Sequence, residues 1–128
     1  MNKLQVIGLC CDFLDSTLGK EEWFVSVRPS VAAIILYGPA SSGAIDTGSI
    51  VNIMVLLPKN LAQKYSKGKY SYDYKDYQFR VVTNSVEKLR EIASGGFSAK
   101  ESKLFADCVI LAQSDNEVGD LIRKLSKE

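Results

Sequence analysis

The sequence predicts an α/β fold: a single domain over residues 1–128, with a mixed β-sheet and helices packed on it. Three observations predict it. Two short apolar runs, around Val31–Tyr37 and Ile50–Leu57, have the length of buried strands and are bounded by Gly and Pro. Other segments carry apolar residues at helical spacing before, between and after those runs. The two kinds of segment alternate without internal repeats, low-complexity tracts or a linker, the pattern of a sheet covered by helices.

Each element follows in chain order. Leu4, Ile7, Cys11, Leu14 and Leu18 fall at helical spacing, with Gly19 as a stop, so the first helix is expected to lay that stripe on the core. "EEWFVSVRPS" fits two descriptions: Trp23, Val25 and Val27 alternate like a strand, while the segment also extends the helical region up to Pro29. "VAAIILYG" reads as a buried strand ending in Gly-Pro, followed by a Ser/Gly-rich connection. "SIVNIMVLLP" is the second buried strand, "NLAQKY" a short helix and "YQFRVVT" the third strand.

Asn84 with Glu87 three residues on makes a capping-box-like start for a helix carrying Val86, Leu89 and Ile92, which Gly95-Gly96 ends. Ser98 with Glu101 and Ser114 with Glu117 repeat the capping signal, and "CVILA" between them is a fourth strand. The last helix presents Val118, Leu121, Ile122 and Leu125 on one face. It carries Lys124 and Lys127 near its C-terminus, where the helix dipole favours cations.

Composition excludes several function classes. A chain of 128 residues with 46% hydrophobic and 24% charged content has the make-up of a globular protein with one core. A net charge of +1 provides no global field toward nucleic acid or an anionic membrane. No His is present to complete a zinc set or a Ser-His or Cys-His nucleophile pair. The three cysteines, an adjacent Cys10-Cys11 and a lone Cys108, give no disulfide framework and read as reduced thiols in a cytoplasmic protein. Apolar runs far shorter than the ~20 residues of a spanning helix argue against a membrane segment.

One stretch carries more. "YGPASSGAIDTGSIVNIMVLLP" joins the two apolar strands through small residues suited to approach a phosphate. An apolar strand ending in Gly, a turn with a second Gly, then a Gly-Ser opening another strand resembles the nucleotidyltransferase superfamily typified by DNA polymerase beta, and its small stand-alone members in particular. In that family the second strand bears Asp-x-Asp and a later strand gives a third carboxylate. Gly38 and Gly43 fit the pattern, Pro39 replaces the Ser that would contact the triphosphate, and Ile50 and Asn52 occupy the two carboxylate positions. The third position falls in "YQFRVVT", which offers Gln78 and Arg80 instead of an acid.

Residues two apart on a strand share a face, so paired Asp side chains can hold two magnesium ions about 4 Å apart for phosphoryl transfer. Ile50 has no donor atom, and the single neutral oxygen of Asn52 suits a hard divalent cation poorly. The expectation is therefore a catalytically degenerate nucleotidyltransferase-fold protein, with no catalytic residue and no magnesium. It would act as a binding module for a nucleotide, a partner protein or a nucleic acid. The resemblance implies a nucleoside triphosphate as ligand in a vestigial site of Gly38, Ser41, Ser42, Gly43 and Asn52, although Ser41 and Ser42 also read as an ordinary cap and turn. It also implies a helical partner on a separate chain, or self-association. Rival readings are an active transferase with relocated acids, such as Asp46 and Asp76, and a purely structural interaction protein.

A second feature is "KYSKGKYSYDYKDYQFR". Lys64, Lys67 and Lys69 interleaved with Tyr70 and Tyr72 could combine phosphate attraction with base stacking on a single-stranded nucleic acid. Its plain alternative is a hairpin whose tyrosines alternate between core and water.

Overall fold

A computed structural model describes residues 2–42, 49–65, 70–95, 105, 108–114 and 116–126. Its elements are α1 (Lys3–Ser16), α2 (Glu22–Val27), β1 (Ala33–Tyr37), β2 (Ile50–Leu57), α3 (Lys59–Tyr65), β3 (Tyr70–Tyr74), β4 (Tyr77–Ser85), α4 (Val86–Ala93), β5 (Val109–Gln113) and α5 (Glu117–Ser126). Short 3₁₀ turns follow α1, α2 and β1. The five strands form one mixed sheet in the order β3-β4-β2-β1-β5, with β2 and β4 parallel and the other pairs antiparallel.

Strand alternation sorts the apolar side chains into two layers. Ile34 and Leu36 of β1, Val51, Ile53, Val55 and Leu57 of β2, and Phe79 and Val81 of β4 face α1, α2 and α3. Ala33, Ile35, Met54 and Leu56 face the opposite way, against Val86, Leu89 and Ile92 of α4 and Val118 and Ile122 of α5. Helices cover both faces, which is why β1 and the central part of β2 read as unbroken apolar runs in the sequence. Arg90 of α4 pairs with Glu117 of α5 at 2.5 Å across the outside of the second layer.

Several expectations change. The apolar stripe of α1 is rotated: Val6, Leu9, Cys10 and Phe13 are the buried positions, and Leu4 is 79% exposed. Val6, Cys10 and Phe13 form an i, i+4, i+7 stripe of their own, so two overlapping periods were available, and the buried one carries Phe13, which stacks on Phe79. "EWFVSV" is helix, with Phe24 and Val27 inward and Val25 exposed. The helix after β4 is capped by Ser85, whose Oγ accepts from the Lys88 amide at 3.0 Å, and not by Asn84. Strand β4 runs through Ser85 because Leu57 of β2 pairs with it, so the helix starts one residue later than the Asn84 signal implied. Ser114 donates its hydroxyl to the Ala32 carbonyl at 3.3 Å, which ties the end of β5 to the start of β1.

"YSYDY" is a strand in its own right. It forms a hairpin with β4 through Lys75 and Asp76, whose φ values of 47° and 68° make the tight reversal. The Ser98–Glu101 helix start, Gly96 and Lys127 lie outside the described residues. Among the described residues no helix is long and apolar enough to cross a membrane.

Candidate functional site

The Ser/Gly connection leaves β1 at Gly38, whose φ of +80° is a conformation that side chains resist. A 3₁₀ turn over Pro39–Ser42 follows. Ser41 is buried, and both its amide and its hydroxyl donate to the Gly38 carbonyl, at 3.0 and 2.7 Å. That hydroxyl closes the turn, the role of an ordinary cap. Ser42 belongs to the same turn, and Gly43 and Asp46 lie outside the described residues.

Gly38 also lies close to Asn52. A Cβ at position 38 would stand 3.1 Å from Asn52 Nδ2, so the absent side chain is what lets the turn approach the amide. Gly38→Ala is expected to cost about 1–2 kcal/mol of stability, read from urea denaturation, because it adds a left-handed backbone penalty to that contact. The same change in an Asn52→Ala background should cost less, since only the backbone penalty then remains.

The strand register shows what stands around Asn52. It pairs with Tyr37 on β1 and with Arg80 on β4, and Ile50 pairs with Gln78. Arg80 in turn pairs with Ser71 on β3, and Gln78 with Asp73. By alternation all of these side chains lie on the α4/α5 face of the sheet, beyond the end of its apolar layer: Phe79 and Val81 point the other way, and Tyr37 packs on the edge of that layer. Tyr37, Asn52, Arg80 and Ser71 thus make one polar row across four strands, with neighbours roughly 5 Å apart. Ile50 is 40% exposed beside it.

Electrostatics in this row run positive. Burial pushes the Tyr37 phenol above its ordinary range, and the nearby Arg80 guanidinium partly offsets that rise. The phenol is therefore a neutral hydrogen-bond donor near pH 7. Neither β2 nor β4 carries a carboxylate. Asp73 is the acid that the register brings to this face on β3, two strands from Ile50 and so about 10 Å away. Asp76 sits in the hairpin turn and not on the strand face with Asn52. Among the described residues, no three acidic or thiol side chains come together as a metal-binding group. An alkyl group, an amide and a guanidinium do not fit a divalent cation, which needs anionic oxygens.

The Tyr/Lys stretch takes a different place. Tyr70 stacks on Trp23 with ring centres 4.2 Å apart, and the Tyr72 hydroxyl accepts from Trp23 Nε1 at 3.1 Å. Tyr72 and Tyr74 also approach Phe13 at 5.6 and 5.9 Å. The hairpin tyrosines therefore hold β3 against α1 and α2. Lys64 lies over the Tyr65 ring at 5.5 Å, and Lys67 and Lys69 lie outside the described residues.

The chain matches no protein-family model and no curated protein sequence. Its backbone does match a solved structure, a nucleotidyltransferase-like protein from Exiguobacterium sibiricum 255-15, with a TM-score of 0.55 at 12% identity over 80% of this chain. The fold is nucleotidyltransferase-like. The chain spans 34% of that protein's length. Within this nucleotidyltransferase-like sheet, Ile50 and Asn52 stand two apart on β2, with Gln78 and Arg80 facing them on the parallel neighbour β4. Gly38 lies beside Asn52, and Ser41 bonds to the Gly38 carbonyl. Tyr37, Ser71 and Asp73 were missed, because their place beside Asn52 and Arg80 depends on which strands pair.

Proposed function

We propose that the chain is a catalytically degenerate nucleotidyltransferase-fold protein whose polar sheet face, beside the β1 turn and across the β2–β4 pair, binds a nucleotide and does not transfer it. The observation that supports this reading is the pairing of Asn52 with Arg80. Where a two-metal site needs carboxylates close together, β2 and β4 present Ile50, Asn52, Gln78 and Arg80. Phosphoryl transfer draws nearly all its acceleration from positioning and charge stabilisation, so a strand pair with these groups keeps surface for binding and loses the chemistry. Gly38 and the turn after it remain as the point where a ligand can come close to the backbone.

Two measurements on the purified chain test the reading together. In a thermal-shift series, each of the four ribonucleoside triphosphates is added at millimolar concentration. At least one is expected to raise the melting temperature, since a ligand at tenfold its Kd adds about 1.4 kcal/mol to the native state. Pyrophosphate release from the same mixtures with magnesium, in the presence of protein, RNA and small-alcohol acceptors, is expected to stay at background. Magnesium-dependent release would overturn the degenerate reading and return attention to the acids outside β2 and β4.

A further inference from the structure

In the row Tyr37, Asn52, Arg80 and Ser71 every member offers a hydrogen-bond donor, and the one formal charge is positive. We propose that this row takes the phosphate chain of its ligand without a metal, with Arg80 supplying the positive charge. The proposal rests on the nucleotide-binding reading above and names how that site recognises its ligand.

Four observations carry it. First, Arg80 is exposed, and among the described residues no carboxylate forms an ion pair with it, although Asp73 lies one residue pair further along the same face. Its guanidinium fork is free to meet two oxygens of one phosphate, the bidentate geometry that makes Arg a phosphate-binding residue. Second, the Tyr37 phenol is held neutral by burial and lies near enough to Arg80 to feel its charge, so a ligand oxygen drawn to the guanidinium also meets a donor hydroxyl. Third, the Asn52 amide, directly between these two in the register, makes no hydrogen bond to another described residue and can donate to the same ligand. Fourth, the turn after β1 comes close to the Asn52 amide because position 38 is glycine: a Cβ there would stand 3.1 Å from Nδ2, so the backbone of the turn and the amide lie side by side.

The sign of the magnesium effect follows. At a carboxylate site, magnesium bridges protein and phosphate and strengthens binding. Here a divalent cation meets a guanidinium in place of its anionic ligands. When it coordinates the phosphate chain instead, it occupies the oxygens that Arg80 would take. Magnesium should therefore weaken binding.

The test is a calorimetric titration of the full chain with ATP and with inorganic tripolyphosphate, each in EDTA and in excess magnesium. Wild type is expected to bind in EDTA and to lose affinity several-fold in magnesium and at raised salt. Arg80→Gln should weaken binding in EDTA by tenfold or more, and Arg80→Lys, which keeps the charge but not the fork, by less. Arg80 is exposed, so both variants should melt like wild type, and the melting curve is recorded for each. Arg28→Gln is the control: Arg28 lines a separate cavity of about 350 Å³ near the start of β1, with Asp15, Phe24 and Gln113, and its loss should leave binding unchanged.

Equal affinity for ATP and tripolyphosphate supports recognition of the phosphate chain alone. Tighter ATP binding supports the same contact with a base added, for which exposed Ile50 is the adjacent apolar surface. Tighter binding in magnesium, or undiminished binding by Arg80→Gln, would overturn the role of Arg80 and leave the nucleotide reading standing. Loss of binding in Arg28→Gln would move the site to the other cavity and overturn the assignment. No binding of either ligand under any condition would overturn both.

Discussion

Replacing Phe13 by alanine lowers the stability of the chain by about 3–5 kcal/mol, the usual cost of deleting a buried aromatic ring. In a domain of this size that corresponds to a fall in melting temperature on the order of 10–20 °C. Phe13 is fully buried and stacks on Phe79 with ring centres 4.1 Å apart and planes 18° apart. The rings of Tyr72 and Tyr74 pack around it from β3. One side chain therefore joins α1, β4 and the hairpin, and its loss leaves a cavity that three rigid neighbours cannot close. Leu4→Ala, on the stripe that the sequence pattern favoured, should change stability by less than about 0.5 kcal/mol, because Leu4 is 79% exposed. Urea denaturation of the two variants decides the matter. Comparable losses would mean that α1 packs on its other face.

Alkaline pH should destabilise the protein steeply, and Cys10 is the first cause. Burial, and secondarily the neighbouring Cys11, push its thiol from an ordinary value of 9.0 up to about 12. The folded state thus keeps a proton that the unfolded chain releases above about pH 9. The contribution is fully present below that pH and is lost as pH rises toward the folded value, by up to about 1.4 kcal/mol per pH unit. By pH 11 the loss is on the order of 2–3 kcal/mol. Tyr37, Tyr70 and Tyr72 are shifted upward as well, chiefly by burial, and act in the same sense. Cys10→Ala separates the thiol from the phenols: it should be somewhat less stable at pH 7 yet show a shallower decline between pH 9 and 11. Parallel declines of wild type and variant would remove Cys10 from the account. Iodoacetamide at pH 8 should label the half-buried Cys11 and Cys108 and spare Cys10 until the chain unfolds.

The elements that the sequence announced correctly were those with a single consistent signal. β1 and β2 are apolar runs of strand length between Gly and Pro, and nothing competes with that description. The run from Val86 to Ile92 and that from Val118 to Ile122 keep one helical period each, and both are helices facing the second layer. Errors fell where two signals overlapped. In α1 two stripes of similar strength share the same turns. At Asn84 and Ser85, either residue can cap, and the pairing of Leu57 with Ser85 chose the second by extending the strand. The Tyr-rich segment is not among these errors: its reading as a hairpin with tyrosines alternating between core and water describes the β3–β4 pair. Trp23, 47 residues upstream of the Tyr70 it stacks on, provided the packing partner.

By itself the sequence determined the class of fold, the Gly-bearing turn after β1 and the absence of acids at Ile50 and Asn52, because each of these is local: strand length, backbone freedom at one residue, and the chemistry of two side chains. Only the tertiary structure decided what surrounds Asn52. Tyr37, Asn52, Arg80 and Ser71 come from four strands, and their alignment depends on a sheet order and a register that hydrophobic alternation cannot specify between strands. Alternation says which face a side chain takes along its own strand. It does not say which strand lies next to it, and that adjacency is what places a guanidinium opposite Asn52.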